Sequence, residues 1–256
     1  AADHRRHLLP LRRPCRRHLA RRLEGLRSAS APDDALALHF QGAIFDVDGT
    51  LVDSNDAHAA AFVEAFAESG LQVAFEEVRR LIGKGSDKLI PRLIGRYDQA
   101  IAERKKAIFM ARHLPGVRAF PAVDLLLARL RTMDFRLAVA SSAARDELDA
   151  LLDVARAKGY FAAVTDADDA ERSKPDPDIV LAALDRLGFA AERCVMVGDT
   201  PYDAAAARRA GVPFLGVRCG GWADRDLQPA IGVYEDPAEL LASLVKDPGC
   251  VLRTPS

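Results

Sequence analysis

The chain has 256 residues, of which 49 % are apolar, and its 36 basic residues nearly balance its 37 acidic ones. It is too long for a mini-domain stabilised mainly by disulfides. No apolar run approaches the roughly 20 residues that cross a bilayer, so we do not expect an integral membrane protein. The four cysteines, at positions 15, 194, 219 and 250, form no CxxC pair. We interpret them as reduced thiols of a cytoplasmic protein.

Charge is concentrated at the start of the chain. The first 31 residues hold nine arginines and two acidic residues, which leaves 27 basic and 35 acidic residues elsewhere. The acidic body argues against nucleic acid as a partner. Three interpretations of the basic head remain open: a disordered leader, an organellar transit-like segment, or a basic arm for an acidic partner. We assign residues 1–34 to a basic leader and expect it to be disordered.

The body begins with a short strand followed by a long helical stretch. Residues 43–45 form an apolar run between turn residues, which predicts a buried strand. The apolar stripe within 56–69 predicts a helix that ends at Gly70. Residues 76–114 are predicted to be helical, with breaks at glycines near 83–85 and 95.

After residue 120, predicted helices and strands alternate. In chain order they are a helix over 122–132, a strand over 137–140, a helix over 145–157, a strand over 163–165, a helix capped by Asp176 and ended by Gly188, a strand over 194–197, a helix over 202–210 and a strand over 214–217. This alternation predicts an α/β protein with a Rossmann-like parallel sheet covered on both faces.

The helical block that follows the first strand interrupts this alternation. We therefore predict an α-helical cap domain over 57–117, inserted into a core domain formed by 35–56 and 118–256. The chain would bend at two hinges, near 53–57 and 116–121. Closure of such a cap would shield a reaction from water.

Polar residues follow the predicted strands at the edge where parallel sheets bind ligands. Asp46 and Asp48 end the first strand, and Asp199 follows the strand over 194–197, with Asp203 one turn later. Carboxylates that converge on one point repel each other unless a cation neutralises them. Oxygen ligands with no nearby histidine or cysteine favour Mg²⁺.

The remaining strand-end residues suit a phosphate group. Ser141 and Ser142 follow the strand over 137–140, and Lys174 precedes a helix. A hydroxyl, an ammonium group and main-chain amides bind phosphate. Asp46 and Asp48, two residues apart in extended backbone, face the same side, so one can attack phosphorus while the other moves protons.

These motifs resemble the haloacid dehalogenase superfamily, in the subgroup with a helical cap after the first strand. The resemblance covers about residues 40–235 and rests on the DVDGTLVDS motif at 46–54, the strand-end serine, the Lys-Pro pair at 174–175 and the GDxxxD motif at 198–203. It implies a Mg²⁺-dependent phosphatase that hydrolyses a small phosphorylated metabolite, similar to phosphoglycolate or a sugar phosphate, through an aspartyl-phosphate.

The resemblance also implies a role for each matching residue. Asp46 would be the nucleophile and a Mg²⁺ ligand, and Asp48 the general acid and base, with its main-chain carbonyl on the metal. Ser141 would bind the phosphoryl group, Lys174 would neutralise charge, and Asp199 would ligate Mg²⁺. The supporting residues would be Asp203, next to the acidic cluster, and Gly49, Thr50 and Ser142, around the phosphate.

Several alternatives remain open. Asp48 favours phosphate substrates over haloacids, but a sugar phosphomutase of the β-phosphoglucomutase type would use the same aspartate pair. His58 either assists the substrate or the proton transfer, or is an ordinary residue at a helix start. Lys84, in the glycine-containing loop at 82–88, either meets a second anionic group or is solvated. A non-catalytic protein on this fold would be expected to lack one of the key residues, and all are present. The chain could be a monomer or a dimer.

Overall fold

The computed structural model of the chain describes residues 40–252. The prediction of a disordered basic leader over 1–34, and its alternatives, lie outside the described residues. Within residues 40–252, no helix combines the length and the apolar character needed to cross a membrane.

The predicted strands form the centre of the molecule. The observed strands are β1 (Gly42–Phe45), β2 (Val52–Asp53), β3 (Arg118–Ala119), β4 (Arg136–Ala140), β5 (Ala163–Thr165), β6 (Cys194–Gly198), β7 (Phe214–Val217) and β8 (Ala230–Tyr234). Six of them form one parallel sheet in the order β5-β4-β1-β6-β7-β8. Both faces of β1 are covered, which explains why its sequence is a continuous apolar run.

Helices cover the sheet and form the segment between β2 and β3. The helices are α1 (Asn55–Glu68), α2 (Phe75–Arg79), α3 (Ser86–Ile94), α4 (Gln99–Ile108), α5 (Val123–Thr132), α6 (Arg145–Val154), α7 (Asp178–Leu187), α8 (Pro201–Arg209), α9 (Pro237–Lys246) and α10 (Pro248–Val251). A π-helical turn, Phe109–His113, continues α4. These elements confirm the predicted α/β class.

Two apolar layers lie on opposite faces of the sheet. Successive side chains of a strand point to opposite faces, so Ile44 joins one layer and Phe45 the other. The layer around Ile44 includes α7 and α8. The layer around Phe45 includes α5 and α6, and it extends to buried residues of α1, α3 and α4. One continuous core therefore joins the sheet to the helices between β2 and β3.

The chain leaves and rejoins the sheet region at one place. Strands β2 and β3 pair antiparallel, with Val52 opposite Ala119 and Asp53 opposite Arg118. Residues 55–116, which we call the helical segment, lie between them. The segment is helical, with breaks near the predicted glycines. Its assignment as a separate cap domain with limits 57–117 stays a prediction.

Three parts of the fold differ from the prediction. Helix α7 begins at Asp178 rather than after a cap at Asp176, because Lys88 and Arg209 bind the Asp176 carboxylate. Helix α6 ends at Val154, three residues early. Strand β8 and helix α9 were not predicted, and every residue of β8 is partly exposed, as suits the edge of a sheet.

The central strand should be sensitive to loss of volume. Ile44 is fully buried on β1, so Ile44→Ala should lower the free energy of unfolding by about 2–5 kcal/mol. Leu181 lies on α7, over the same face of the sheet, but it is 48 % exposed, so Leu181→Ala should cost less than about 1 kcal/mol. Urea unfolding measures both changes. Similar losses in the two variants would contradict this placement of the core.

Candidate active site

The turn after β1 places the first aspartates at the carboxyl edge of the sheet. Gly49 has φ +74°, and its amide donates to the carbonyl of Val52 at 2.8 Å. A Cβ on Gly49 would lie 2.1 Å from Nδ2 of Asn55 and 2.2 Å from Oδ2 of Asp199. The glycine is therefore required both by the backbone conformation and by the close approach of Asp199.

Lys174 joins the carboxylate that directly follows β1 to a carboxylate in helix α8. Its Nζ donates to Oδ1 of Asp46 at 2.5 Å, to Oδ1 of Asp203 at 2.8 Å and to the carbonyl of Ala140 at 3.3 Å. Burial alone would lower the pKa of Lys174, but the charges of Asp203 and Asp46 raise it above the ordinary range. Lys174 is therefore a buried, permanent cation.

Asp199 is held from two directions. Oγ1 of Thr50 donates to its Oδ1 at 3.1 Å, and Nδ2 of Asn55 donates to its Oδ2 at 2.9 Å. The main chain of Gly220 lies against the carboxylate so closely that a Cβ there would be 1.7 Å from Oδ2. Asp199 is thus held in place by two hydrogen bonds and by close contact with the main chain of Gly220.

The acidic cluster carries more negative charge than its protein partners neutralise. Asp46, Asp199 and Asp203 are buried, and each offers an oxygen atom within 4.8 Å of the others. Burial raises the pKa of Asp46 well above its usual range, because Lys174 offsets only part of the cost. Burial, together with the charge of Asp203, raises the pKa of Asp199 to about 7.

The cluster fits a hard cation. Oδ2 of Asp46 is buried and has no hydrogen-bond partner among residues 40–252. Both oxygens of Asp203 are already occupied, by Lys174 and by Thr200. Both oxygens of Asp199 likewise accept hydrogen bonds, from Thr50 and Asn55, so Oδ2 of Asp46 is the cluster oxygen without a partner in the described part of the chain. A divalent cation would relieve the repulsion of the three carboxylates. The donor set consists of oxygen atoms, which matches the predicted Mg²⁺.

Asp48 lies at one end of a buried chain of polar side chains. It accepts from Nε2 of His58 at 2.7 Å and from Oγ of Ser54 at 2.5 Å. Nδ1 of His58 lies 3.3 Å from Oε1 of Glu147, which accepts from Nζ of Lys105 at 2.7 Å. Burial opposes ionisation of Asp48, but His58 and Ser54 outweigh it and lower its pKa to about 2. His58 thus contacts both Asp48 and Glu147, and its assistance to the substrate or the proton transfer stays a prediction.

A cavity of about 50 Å³ brings most of the predicted site residues together. Its predicted members are Asp46, Asp48, His58, Lys84, Ser142 and Lys174. Oγ of Ser142 is buried and has no hydrogen-bond partner in the described part of the chain. A larger neighbouring cavity of about 450 Å³ shares Ser142 and is also lined by Ser141. Gly49, Thr50, Asp199 and Asp203 lie behind the small cavity, around the acidic cluster.

Lys84 reaches the site from the helical segment. Its Nζ lies 4.6 Å from the centroid of the Tyr202 ring. Burial and the neighbouring charges of Arg92 and Lys88 lower its pKa. The ammonium group is thus close to other cations, in a place that would attract an anion.

Sequence reasoning missed several residues of the site. Asn55 follows the 46–54 motif directly, but its side chain is indistinguishable from that of an ordinary helix start. Lys105 and Glu147 left a usable signal, because each lies on the apolar stripe of its helix, four residues from a buried Ile101 or Leu151. A charged residue on such a stripe indicates a buried partner.

Comparisons with known proteins agree with this geometry. A family model described as haloacid dehalogenase-like hydrolase matches residues 43–217. A phosphoglycolate phosphatase from Caulobacter vibrioides is 32 % identical, over 78 % of this chain and 83 % of its own. A hydrolase structure from Pseudomonas syringae has a TM-score of 0.75 at 29 % identity, over 81 % of this chain and 98 % of its own. CbbY from Rhodobacter sphaeroides, solved in complex with phosphate, has a TM-score of 0.65 at 26 % identity, over 78 % of this chain and 96 % of its own.

The raised pKa of Asp199 should make metal-free stability depend on pH. The native state keeps a proton up to about pH 7, whereas the unfolded state loses it near pH 4. The stability that this proton contributes is present below about pH 4 and is lost as pH rises to about 7, by at most about 1.4 kcal/mol per pH unit.

Asp199→Asn should reduce this loss of unfolding free energy between pH 5 and pH 7, as measured by urea unfolding in the presence of a chelator. Adding Mg²⁺ at pH 7 should stabilise the wild type and not the variant. The control is Asp153→Asn, at a carboxylate whose side chain is 66 % exposed, which should keep the wild-type pH profile. An unchanged profile in Asp199→Asn would contradict the assignment of the proton to this residue.

Proposed function

Because the chain belongs to the haloacid dehalogenase-like hydrolase family, we propose that it is a Mg²⁺-dependent phosphatase of small phosphorylated metabolites that acts through an aspartyl-phosphate. The observation that carries this proposal is the state of Asp46. Lys174 binds one of its oxygens, while the other is buried and unpartnered among the described residues. The carboxylate also offers an oxygen within 4.8 Å of oxygens of Asp199 and Asp203. Asp48 lines the same cavity and is positioned for proton transfer.

The first chemical step forms the covalent intermediate. A carboxylate oxygen of Asp46 attacks phosphorus, and the bond between phosphorus and the leaving oxygen breaks. Asp48 gives that oxygen a proton, which leaves an alcohol and a phosphorylated Asp46. Asp48 has a pKa of about 2 in this arrangement, so we assign the supply of this proton to His58, which lies 2.7 Å away.

The second step returns the enzyme to its starting state. A water molecule attacks phosphorus and passes a proton to the ionised Asp48, and the bond from phosphorus to Asp46 breaks. Inorganic phosphate and the free carboxylate of Asp46 result, and transfer of the new proton from Asp48 to Nε2 of His58 restores the starting state. The low pKa of Asp48 means that it enters this step as a base, as the reaction requires.

Asp46, Asp199 and the main-chain carbonyl of Asp48 would hold Mg²⁺. When bound, the cation would supply the positive charge that keeps both aspartates ionised and would offset the charge of the phosphoryl oxygens. Oγ of Ser142, which has no partner within residues 40–252, is free to donate to a phosphoryl oxygen. The adjacent cavity of about 450 Å³ gives the leaving group room of metabolite size.

The decisive experiment measures phosphate release from a panel of small phosphorylated metabolites, with Mg²⁺ and with chelator. Asp46→Asn should lower the rate by at least about 10³-fold, because it removes the attacking oxygen. Asp53→Asn is the control, since it makes the same change at an exposed carboxylate seven residues later. Radioactive phosphate should label the wild-type protein in a hydroxylamine-sensitive form. Release that survives Asp46→Asn would overturn the nucleophile assignment.

The same panel separates a phosphatase from a phosphomutase. A phosphatase releases inorganic phosphate and an alcohol. A mutase of the β-phosphoglucomutase type returns a sugar that keeps its phosphate, and it requires a sugar bisphosphate. Isomerised sugar phosphate without free phosphate would replace the proposed activity by this alternative.

Lys84 should select substrates with a second anionic group. Its ammonium faces the reaction cavity beside other cations. Lys84→Met should raise KM for a carboxylate-bearing substrate such as phosphoglycolate by about tenfold, which corresponds to about 1.4 kcal/mol. KM for a substrate with an uncharged leaving group should stay within about twofold. Equal changes in KM for both substrate types would show that Lys84 does not bind the anionic group of the leaving group.

A further inference from the structure

Side chains at the start of helix α3 hydrogen-bond to Ser173, the residue that precedes Lys174. The amide of Ser173 donates to Oδ2 of Asp87 at 3.3 Å. The carbonyl of Ser173 accepts from Nζ of Lys88, which also donates to Oδ2 of Asp176. Asp87 and Lys88 of the helical segment therefore bind the main-chain amide and carbonyl of Ser173, which lies in the loop between β5 and α7.

The approach of the two chains is close enough to demand a glycine. A Cβ on Gly85 would lie 2.7 Å from Cβ of Ser173 and 2.9 Å from its Oγ. Gly85 thus lets the helical segment reach Ser173 and brings Asp87 and Lys88 within bonding distance. This explains a glycine of the 82–88 loop that the catalytic scheme leaves unused.

The position of Ser173 matters because Lys174 has little freedom of its own. Its side chain is fully buried, and its ammonium bonds to Asp46, Asp203 and the carbonyl of Ala140. A displaced main chain at Ser173 would carry this ammonium away from the nucleophile. In enzymes, a misplacement of about 1 Å can cost about 10²-fold in rate.

The far side of the same loop is anchored differently. Arg209 donates to the carbonyl of Pro175 at 2.8 Å and to Oδ1 of Asp176 at 3.1 Å. Arg209 belongs to α8, on the sheet side of the molecule. Arg209 therefore holds the residues after Lys174 from the sheet side, whereas the helical segment is the source of the side-chain bonds to Ser173 and also reaches Asp176 through Lys88.

We propose that Asp87 and Lys88 are positioning residues for the reaction, which place the ammonium of Lys174 beside Asp46 when the helical segment is seated on the sheet. Neither residue touches the reacting atoms, so both act through Ser173. Seating of the helical segment would then complete the catalytic charge arrangement as well as shield it. This inference rests on the proposed function, in which Lys174 serves Asp46.

The kinetic test compares two basic residues of the helical segment. Lys88→Met should lower kcat by about 10–100-fold while KM stays within about threefold, because the change misplaces a catalytic group rather than a substrate contact. Lys88→Arg keeps the cation and should restore most of the rate. Arg112→Met is the control, because Arg112 bonds to Glu64 at 2.6 Å, within the helical segment, and does not line either cavity. Its kcat should stay within about twofold.

A second measurement is independent of turnover. Hydrogen exchange of peptides covering 170–178 reports on the Ser173 amide, which Asp87 protects. Lys88→Met and Asp87→Asn should speed this exchange, by about tenfold, and Arg112→Met should leave it unchanged. If the wild-type protein turned over no substrate, the proposed function would be wrong. The exchange rates would still show whether Asp87 and Lys88 hold the main chain of Ser173.

Three results would overturn the inference. Unchanged exchange in Lys88→Met would show that Lys88 does not hold the loop. Equal loss of kcat in Lys88→Met and Arg112→Met would indicate a general effect of loosening the helical segment. A change confined to KM would make Lys88 a substrate contact instead of a positioning residue.

Discussion

The electrostatic constraint on which the structure depends is the convergence of three buried carboxylates on Lys174. Asp46, Asp199 and Asp203 would repel one another strongly away from water, and a single ammonium cannot neutralise them. The surrounding contacts follow from this excess. Asn55 and Thr50 donate to Asp199, Thr200 donates to Asp203, and Oδ2 of Asp46 has no hydrogen-bond partner among residues 40–252. The protein thus retains the unfavourable charge needed for cation binding.

The parallel sheet makes this convergence possible. Strands β1 and β6 are neighbours at its centre, so the residues after them meet at one edge. The loop that carries Lys174 and the loop that contains Gly220 reach the same point from other strands. The helical segment then contacts these loops, through Lys88 at Ser173 and through Arg79 at the carbonyl of Gly220. The site is therefore assembled by the sheet and covered from the opposite side.

The sequence predicted best those elements whose formation depends on a pattern of neighbouring residues alone. Buried strands such as β1 and β6 need apolar residues on both faces, and strand ends identify Asp46 and Asp199. Strand β8 was missed because an edge strand is half-exposed and lacks such a run. Pairs such as Lys105 with Glu147, or Lys88 with Asp176, join distant parts of the chain. Their partners follow from tertiary packing, which no local spacing encodes. The same competition explains why Asp176 does not cap α7.

The short antiparallel pair formed by β2 and β3 has a consequence for how the chain folds. Strands β1 and β4 are adjacent in the sheet although the helical segment separates them in sequence. Joining such distant partners in an unstructured chain carries a large loop-closure entropy and slows folding. Once β2 and β3 pair, the ends of the helical segment lie side by side, and the effective loop shrinks to residues 46–51 on one flank and residues 120–135, which include α5, on the other. The two-residue strands thus convert a long-range sheet contact into a nearly local one, which makes the order of their formation a determinant of the folding rate.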